Sequence, residues 1–309
     1  MSTYTERSDA HGSKLSALLT NDKLPENDRS SVLEAIEKYN EWIESLSSMD
    51  STGDQLLMAM CDSLNSYKNF IDLELIFNSS GDFLYRQNGQ LKLSNSILEE
   101  FIPYLFDERI VPGFSRLSNT ICGPRSSFSG LSFGSPLLGL NSGGVIIKKK
   151  DQDFSVAKKH KLTITNIPSD TGSFSEEFFV SHFATEIKTN LDKTMFQEAS
   201  QTAGELKRAV PGAKYILLCE YLDMTPINTK LTSIDEVIVL RKAKRLPSNI
   251  RKNFSSHSGR LSSLSGYSNF INNNPISFSS LKRFTDHLNE CFPSREDDSE
   301  DTILTRGYF

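Results

Sequence analysis

The sequence is poor in the features that mark several large classes of protein. Its four cysteines, Cys61, Cys122, Cys219 and Cys291, show no C-x-x-C spacing, which argues against a structural zinc site and against a disulfide framework. No apolar run reaches the roughly 18 residues that a membrane-spanning helix needs. Neither the P-loop pattern nor the glycine pattern of dinucleotide-binding proteins occurs. We therefore expect none of these sites and no membrane partner.

Positive charge is not in excess either. The chain carries 34 lysines and arginines against 39 aspartates and glutamates, for a net charge of −5. A net acidic chain does not bind nucleic acid with its whole surface, so any contact with DNA must come from local basic patches and should weaken with salt. Residues 1–13 are polar and lack the apolar core of a signal peptide, which favours a cytoplasmic protein.

Patterning divides the 309 residues into three predicted parts. Apolar residues at helical spacing predict amphipathic helices near the N-terminus, and strand signals dominate the middle of the chain. The parts are a helical N-terminal region, 1–78, with helices over 28–49 and 55–77; an α/β core, 79–255; and a serine- and asparagine-rich extension, 256–309, with a short helix over 279–291 and an acidic tail over 295–301.

Within the core, the sequence predicts strands and helices around a buried mixed sheet. Two β-forming triplets around Asn88-Gly89 predict a hairpin over 78–94, followed by a helix over 96–106. The segment Pro112–Gly144 is dense in Gly, Ser and Pro, which predicts a long loop that either has a function or only wraps the surface. The second half predicts a βαβ crossover. Its elements are strands over 151–164, 178–187, 214–222 and 236–240, a turn-rich connection over 166–175 and a helix over 193–209.

The predicted strand over 178–187 has an acidic residue, Glu186, near its end, and a basic one, Lys188, follows two positions later. Side chains on a strand alternate between faces, so Glu186 and Lys188 point to one side while Phe183 and Ile187 point to the other. A carboxylate can ligate a hard cation such as Mg²⁺, and an ammonium beside it can orient a water or stabilise negative charge on a phosphate. This is the E-x-K half of a PD-(D/E)XK nuclease site. The alternative is an ion pair at a sheet edge, which is what most E-x-K tripeptides form.

A metal-dependent nuclease needs a second carboxylate beside the first. Asp153 is the preferred candidate, because it heads an extended stretch that a hairpin can place next to Glu186. Among the other upstream acids, Asp170 lies in a turn where aspartate is ordinary, and Glu176 and Glu177 precede the strand and are expected to be solvated.

Several polar residues near these three are weaker candidates. Gln197 follows on the next helix, where its amide either positions Lys188, the water or a phosphate, or is a surface group. Glu100, on the helix predicted over 96–106, is either an additional carboxylate of the site or structural. His182 shares the face of Glu186, but neither it nor His160 has a partner histidine, so packing or hydrogen bonding is the simpler role.

Eight basic residues are candidates for contacts with DNA. A basic run follows the buried strand over 236–240, and clustered charges at a strand end suit a phosphate backbone. Two arginines lie in the Gly- and Ser-rich segment, and two lysines add positive potential near Asp153. The alternative is a solvated face that balances the 39 acidic residues. The candidates are Arg116, Arg125, Lys158, Lys159, Arg241, Lys242, Lys244 and Arg245.

Three stretches together resemble a known family, the restriction endonucleases of the BbvCI type. They are the run from Glu186 to Ala199, the run from Lys214 to Pro226, and Gln152-Asp153-Phe154 with the lysines that follow. The resemblance covers about residues 80–255. It implies a type II restriction endonuclease with a PD-(D/E)XK core, a mixed central sheet and flanking helices. A literal Pro-Asp is absent, since Gln152 precedes Asp153.

The resemblance also implies a cofactor, ligands and partners. Mg²⁺ is held by Asp153 and Glu186, Lys188 lies beside the attacking water, and the substrate is double-stranded DNA with a short asymmetric site. The enzyme is a homodimer or a heterodimer with a related subunit, in a bacterial cytoplasm. The alternative function is a non-catalytic DNA-binding or partner subunit, which has no need to assemble Asp153, Glu186 and Lys188.

Overall fold

A mixed β-sheet of six strands runs through the part of the chain that the structure describes, with consecutive strands as neighbours. The structure is a computed structural model, and it describes residues 4–134, 145–165, 173–294 and 300–307. The two pairs β2–β3 and β3–β4 are antiparallel, and the pairs β1–β2, β4–β5 and β5–β6 are parallel. The strands are β1 Tyr4–Thr5, β2 Ile121–Phe133, β3 Val145–Thr165, β4 Ser173–Leu191, β5 Lys214–Leu222 and β6 Glu236–Val239.

Helices cover the sheet and make up most of both ends of the chain. They are α1 Ala10–Leu19, α2 Glu26–Ser48, α3 Gly53–Asn69, which continues as a π-helix over Phe70–Phe77, α4 Phe83–Leu91, α5 Leu93–Phe101, α6 Lys193–Ala209, α7 Ser248–Arg251, α8 His257–Asn273, α9 Phe278–Cys291 and α10 Glu300–Arg306. Short 3-10 turns lie at Ile102–Leu105, Pro112–Arg116, Thr229–Leu231 and Lys252–Ser255. None of the described helices is long and apolar enough to cross a membrane.

Buried apolar side chains form two clusters, one on each face of the sheet. The larger cluster joins the N-terminal helices and α9 to strand residues such as Phe183 and Ile187. The smaller one packs α6, through Phe196 and Ala203, on the opposite face with Ala184. Strand β5 contributes to both clusters, which is why its sequence is apolar without alternation. Strand β4 is thus held between two separately packed layers.

The predicted hairpin over 78–94 is wrong, because this segment forms the helices α4 and α5. Asn88-Gly89 lies inside α4, and the chain turns at Lys92, which has a left-handed φ of 51°. Phe83 and Leu84 on α4 and Leu93 on α5 are buried in the larger cluster. Burial of these side chains outweighs the local turn preference of the Asn-Gly pair.

The predicted loop over Pro112–Gly144 is also partly wrong, since Ile121–Phe133 is strand β2. The glycines that suggested a loop sit at two interruptions of its register with β3, between Gly123 and Arg125 and between Phe128 and Gly130. Gly123 has a φ of 146°, and a Cβ there would lie 3.0 Å from the carbonyl oxygen of Glu6. Residues 135–144 lie outside the described residues.

Other predicted elements match the structure closely. The helix over 193–209 and the strand over 214–222 have the predicted bounds, and Asp192 caps α6 by accepting from the Met195 N–H at 2.8 Å. Strand β4 is longer at both ends than predicted. The serine- and asparagine-rich stretch after residue 247 contains α7 and α8, which its composition did not predict. Most of the predicted connection over 166–175 and of the acidic tail lies outside the described residues.

Candidate functional site

Strands β3 and β4 bring Asp153, Glu186 and Lys188 together. The antiparallel register pairs Phe154 with Thr185, so one further step sets Asp153 opposite Glu186 and on the same face. The backbone N–H of Ile187 donates to Oδ2 of Asp153 at 2.7 Å. The aspartate carboxylate is therefore tied to the residue between Glu186 and Lys188, as the sequence pattern predicted.

The glutamate carboxylate is held from two sides. Nζ of Lys188 lies 2.6 Å from Oε1 of Glu186, and the hydroxyl of Tyr215 donates to Oε2 at 2.6 Å. The Tyr215 ring is fully buried on β5, whereas the side chains of Glu186 and Lys188 keep 18% and 26% exposure. The pair is thus fixed from the interior and open on its outer side.

Burial and neighbouring charges shift the titration of the site. Burial raises the pKa of Asp153 to about 6, helped by the charges of Glu99 and Glu186 and opposed by the Ile187 N–H and Lys188. Burial alone would lower the pKa of Lys188, but its hydrogen bond to Glu186 and the charges of Glu186 and Asp153 raise it. Lys188 therefore stays an ammonium at neutral pH, while Asp153 takes up a proton in mild acid.

Helix α5 adds two polar residues that the sequence analysis did not select. The amide of Asn95 donates to Oε1 of Glu99 at 2.6 Å and to the carbonyl oxygen of Ile187 at 3.4 Å. The hydroxyl of Thr189 in turn donates to Oδ1 of Asn95 at 3.2 Å. These bonds tie α5 to the active strand and place the Glu99 carboxylate within electrostatic reach of Asp153. In the sequence, the only signal for Glu99 was its position next to Glu100 on the predicted helix.

Glu100 has a structural role. Its Oε2 accepts from the backbone N–H of His11 at 2.8 Å, and its Oε1 accepts from the hydroxyl of Tyr39 at 2.5 Å. The side chain is buried, and burial raises its pKa. These bonds join α1, α2 and α5, whereas Glu99 acts on Asp153 and lines the same cleft, so Glu99 rather than Glu100 is the acid near the site.

The donor atoms suit a hard divalent cation. Asp153 and Glu186 offer carboxylate oxygens only; a protein donor engages one oxygen of Asp153, and Lys188 and Tyr215 engage the two oxygens of Glu186. In the described part of the chain, no group of three or more His, Cys, Asp or Glu side chains is placed to hold a metal. Mg²⁺ is commonly bound by one or two carboxylates with waters and substrate phosphates rather than by a closed protein cage. The residues present therefore fit Mg²⁺ with phosphate as a further ligand.

Two further candidates from the sequence, Gln197 and His182, make no hydrogen bond to Asp153, Glu186 or Lys188 among the described residues. Gln197 is exposed on α6 and, within the described ranges, its amide makes no hydrogen bond to Lys188. Its neighbour Glu198 is close enough to help raise the pKa of Lys188. His182 is exposed one step before Phe183, and partial burial with the nearby charge of Lys158 lowers its pKa.

The candidate DNA contacts are in very different surroundings. Arg241 is buried, where Nε donates to Oε1 of Glu220 at 2.6 Å and a terminal nitrogen donates to the carbonyl oxygen of Asn274 at 2.8 Å. Its predicted contact with phosphate is therefore wrong, because the guanidinium neutralises an interior carboxylate. Lys242 bonds Ser279 at 2.5 Å, and Lys244 is exposed. The sequence run hid this difference, since Arg241 and Lys244 follow β6 in one basic stretch.

The other candidates are partly engaged at the surface. Arg245 pairs with Asp223 at 2.9 Å, and Lys159 with Glu177 at 2.5 Å. Arg125 pairs with Glu6 and lies over the ring of Phe179, 4.9 Å from its centroid. Lys158 is exposed on β3. Arg116 is exposed, and its guanidinium donates to the carbonyl oxygen of Pro293 at 3.2 Å.

A cleft of about 510 Å³ opens beside the triad. Asp153, Lys188 and Glu99 line one end of it, and Arg245 and Arg251 line the other. Glu186 does not line this cleft, because its carboxylate turns toward Tyr215.

Comparison with known proteins identifies a family and a similar solved fold. The family model described as Bpu10I restriction endonuclease matches residues 90–309. Among solved structures, a chain of the "native BbvCI A2B2 tetramer at low resolution" superposes with a TM-score of 0.54 and 19% identity, covering 84% of this chain and 96% of that one. No curated protein matches the chain significantly.

Proposed function

This chain belongs to the Bpu10I restriction endonuclease family, and on that premise we propose that Asp153, Glu186 and Lys188 hydrolyse DNA with Mg²⁺. It is a type II site-specific deoxyribonuclease with a restriction endonuclease-like α/β fold. One observation supports the proposed site above all. The carboxylate of Asp153 accepts from the N–H of Ile187, the residue between Glu186 and Lys188, and the carboxylate of Glu186 is held by the Lys188 ammonium and the Tyr215 hydroxyl.

The chain's own groups have separate roles in the proposed reaction. Asp153 and Glu186 would hold the ion, which when bound would supply the positive charge that polarises the scissile phosphate and lowers the pKa of a bound water. Lys188 keeps its proton at neutral pH, so its ammonium orients the water and stabilises the charge that grows on the phosphate oxygens. The water loses a proton to solvent as it attacks phosphorus, the bond from phosphorus to the 3′ oxygen breaks, and that oxygen takes a proton from solvent, which leaves a 3′-hydroxyl and a 5′-phosphate.

The same proposal extends to binding and assembly. Lys158, Lys244 and Arg245 lie at the surface and would contact phosphates, which fix position rather than sequence. The substrate is a short, asymmetric double-stranded site, cut by a dimer of this chain or by a heterodimer with a related subunit, in the bacterial cytoplasm. The solved neighbour is titled an A2B2 tetramer, which supports an oligomeric enzyme.

The test is cleavage of plasmid DNA by the purified chain with Mg²⁺ or with EDTA. Asp153→Asn, Glu186→Gln and Lys188→Ala should each abolish cleavage, a loss of at least about a hundredfold, because each removes a group needed at the phosphate. DNA binding by gel shift should persist. Lys38→Ala, which breaks an exposed ion pair with Glu41 on α2, is the matched control and should cut like the wild-type chain.

The alternative function makes the opposite prediction for the same assay. A non-catalytic subunit would bind DNA but would not cut it in Mg²⁺ when tested alone. If a catalytic partner is added, the cutting that it performs would be the same with the Lys188→Ala chain as with the wild-type chain. Retained cutting by the Lys188→Ala chain would refute the assigned site.

A further inference from the structure

The cleft beside the triad continues into a space walled by aromatic rings. From Asp153 and Lys188 its lining passes Thr189 and Asn190, at the carboxyl end of β4. Beyond them lies what we call the aromatic chamber, lined by Phe77, Tyr85, Tyr221, Phe254, Tyr267 and Phe270. The proposed nuclease reaction uses none of these rings.

The rings of the aromatic chamber are held in preset pairs. Phe77 and Tyr267 stack with centroids 4.2 Å apart, and Tyr221 and Phe270 stack at 5.6 Å and 24°. Phe77 and Tyr221 are buried, whereas their partners Tyr267 and Phe270 are only half-buried. Each pair therefore has an inner ring fixed by the core and an outer ring at the cavity, which is a rigid surface for a flat ligand.

Charge around the aromatic chamber favours an anion. Arg245 and Arg251 line it, and in the described part of the chain Arg251 forms no ion pair, since its Nε donates to the carbonyl oxygen of Leu246 at 2.8 Å. Their charges, with that of Arg260, act on the hydroxyl of Tyr85, although burial still raises its pKa.

The carboxylates at the chamber's inner wall are already neutralised. Glu220 lies 3.2 Å from Nζ of Lys68 and 2.6 Å from Nε of Arg241. Asp72 lies 3.3 Å from Nζ of Lys68. Two buried carboxylates thus face two buried cations, and among the described residues Arg251 is the chamber arginine that has no ion pair, since Arg245 pairs with Asp223.

We propose that the aromatic chamber receives one unstacked deoxynucleotide of the strand being cut, with its base on Phe270 and Tyr85 and its phosphate on Arg251. The whole cleft that contains the chamber has a volume of about 510 Å³, which is the scale of a pocket for a single small molecule and not for a duplex. Aromatic faces with arginines are the chemistry that binds single-stranded nucleic acid. The chamber opens from the same cleft as Lys188, so a nucleotide near the scissile phosphate can reach it. The inference rests on the proposed nuclease function.

The first test measures nucleotide binding and needs no cleavage. Deoxyadenosine 5′-monophosphate is titrated into the full-length chain and followed by saturation-transfer NMR and calorimetry. The wild-type chain should bind it, and Phe270→Leu should weaken binding at least about fivefold, since it removes one stacking ring and keeps an apolar side chain. Arg251→Gln should weaken it as well and should abolish competition by inorganic phosphate.

A matched control separates stacking from general loss of structure. Phe292 is also a half-buried ring, but it packs on Phe114 and Phe183 outside the aromatic chamber. Phe292→Leu should bind the nucleotide like the wild-type chain. Equal affinity in all four chains, or no binding to the wild-type chain, overturns the proposal. A melting curve for each variant confirms that it is folded.

The second test looks for the unstacked base in DNA. 2-Aminopurine, whose fluorescence rises when it leaves the stack, is placed in turn at each position beside the cut of a duplex that the wild-type chain cleaves. In EDTA, binding should raise fluorescence at one position, and Phe270→Leu but not Phe292→Leu should remove the rise. If the chain cuts DNA but fluorescence rises at no position, the nucleotide site in the aromatic chamber is refuted and the proposed nuclease function stands. If the chain binds the nucleotide but never cuts DNA, the proposed nuclease function is refuted and the nucleotide site stands.

Discussion

Protein donors hold both carboxylates of the candidate metal site. The Ile187 N–H donates to one oxygen of Asp153, whereas both oxygens of Glu186 are engaged, one by Lys188 and the other by the Tyr215 hydroxyl. Such outer partners orient ligands and set how tightly a metal is held. The backbone donor cannot be removed by substitution, but the tyrosine can, so Tyr215 is the residue at which positioning is testable.

Tyr215→Phe should weaken the metal site without unfolding the chain. The ring stays buried, while Glu186 loses the bond to Oε2 and is held by Lys188 alone. We expect the Mg²⁺ concentration for half-maximal cleavage to rise about tenfold, with a smaller fall in the rate at saturating Mg²⁺. Calorimetry with Mn²⁺ gives the same affinity without a cleavage assay. Tyr104→Phe, at another buried tyrosine, is the control, and an unchanged Mg²⁺ requirement in Tyr215→Phe would refute this role.

The raised pKa of Asp153 predicts how stability depends on pH. Because the folded pKa of about 6 lies above the ordinary value of 3.8, the folded metal-free chain binds more protons than the unfolded one between these values. Its free energy of unfolding should therefore fall from about pH 4 to pH 6, by about 2 kcal/mol from this group. In urea titrations with EDTA, Asp153→Asn should be more stable than the wild-type chain at pH 7 and similar to it at pH 4. Adding Mg²⁺ at pH 7 should narrow the gap.

At the scale of elements, strong local patterns were read correctly from the sequence and weak ones were not. The helix Lys193–Ala209 and the strand Lys214–Leu222 have clear periodicity or a long apolar run, and their predicted bounds are confirmed. Strand β2 was missed because its glycines mark interruptions of register, which depend on β3 and not on local sequence. Helices α4 and α5 were missed because the Asn88-Gly89 turn signal is local, whereas the burial of Phe83 and Leu93 is not.

The same difference applies to the residues of the candidate site. Alternation along one strand was enough to place Glu186 and Lys188 on one face, and a hairpin register was enough to place Asp153. Tyr215 reaches Glu186 only through the parallel pairing of Glu186 with Leu217, which sequence cannot supply. The burial of Arg241 likewise depends on a carboxylate 21 residues away in the chain.

At the scale of the whole molecule, one buried ionic cluster joins distant parts of the chain. Lys68 comes from α3, Asp72 from the π-helix that follows, Glu220 from β5 and Arg241 from the residues after β6. Arg241 also bonds the carbonyl oxygen of Asn274, after α8. Residues of the N-terminal region, the core and the extension thus meet in one cluster directly behind the cleft, so the position of the cleft wall depends on all three.

Lys68→Met tests how much this cluster contributes to the stability of the molecule. The methionine fills much of the same space, but it leaves Glu220 and Asp72 to share the single cation of Arg241 in a region from which water is excluded. Removing one partner of a buried ion pair costs about 3–5 kcal/mol, so the urea midpoint should fall steeply. Lys38→Met, at an exposed pair, should leave it unchanged. A loss in Lys68→Met no larger than in this control would mean that apolar packing, not the ionic cluster, holds the N-terminal helices to the sheet.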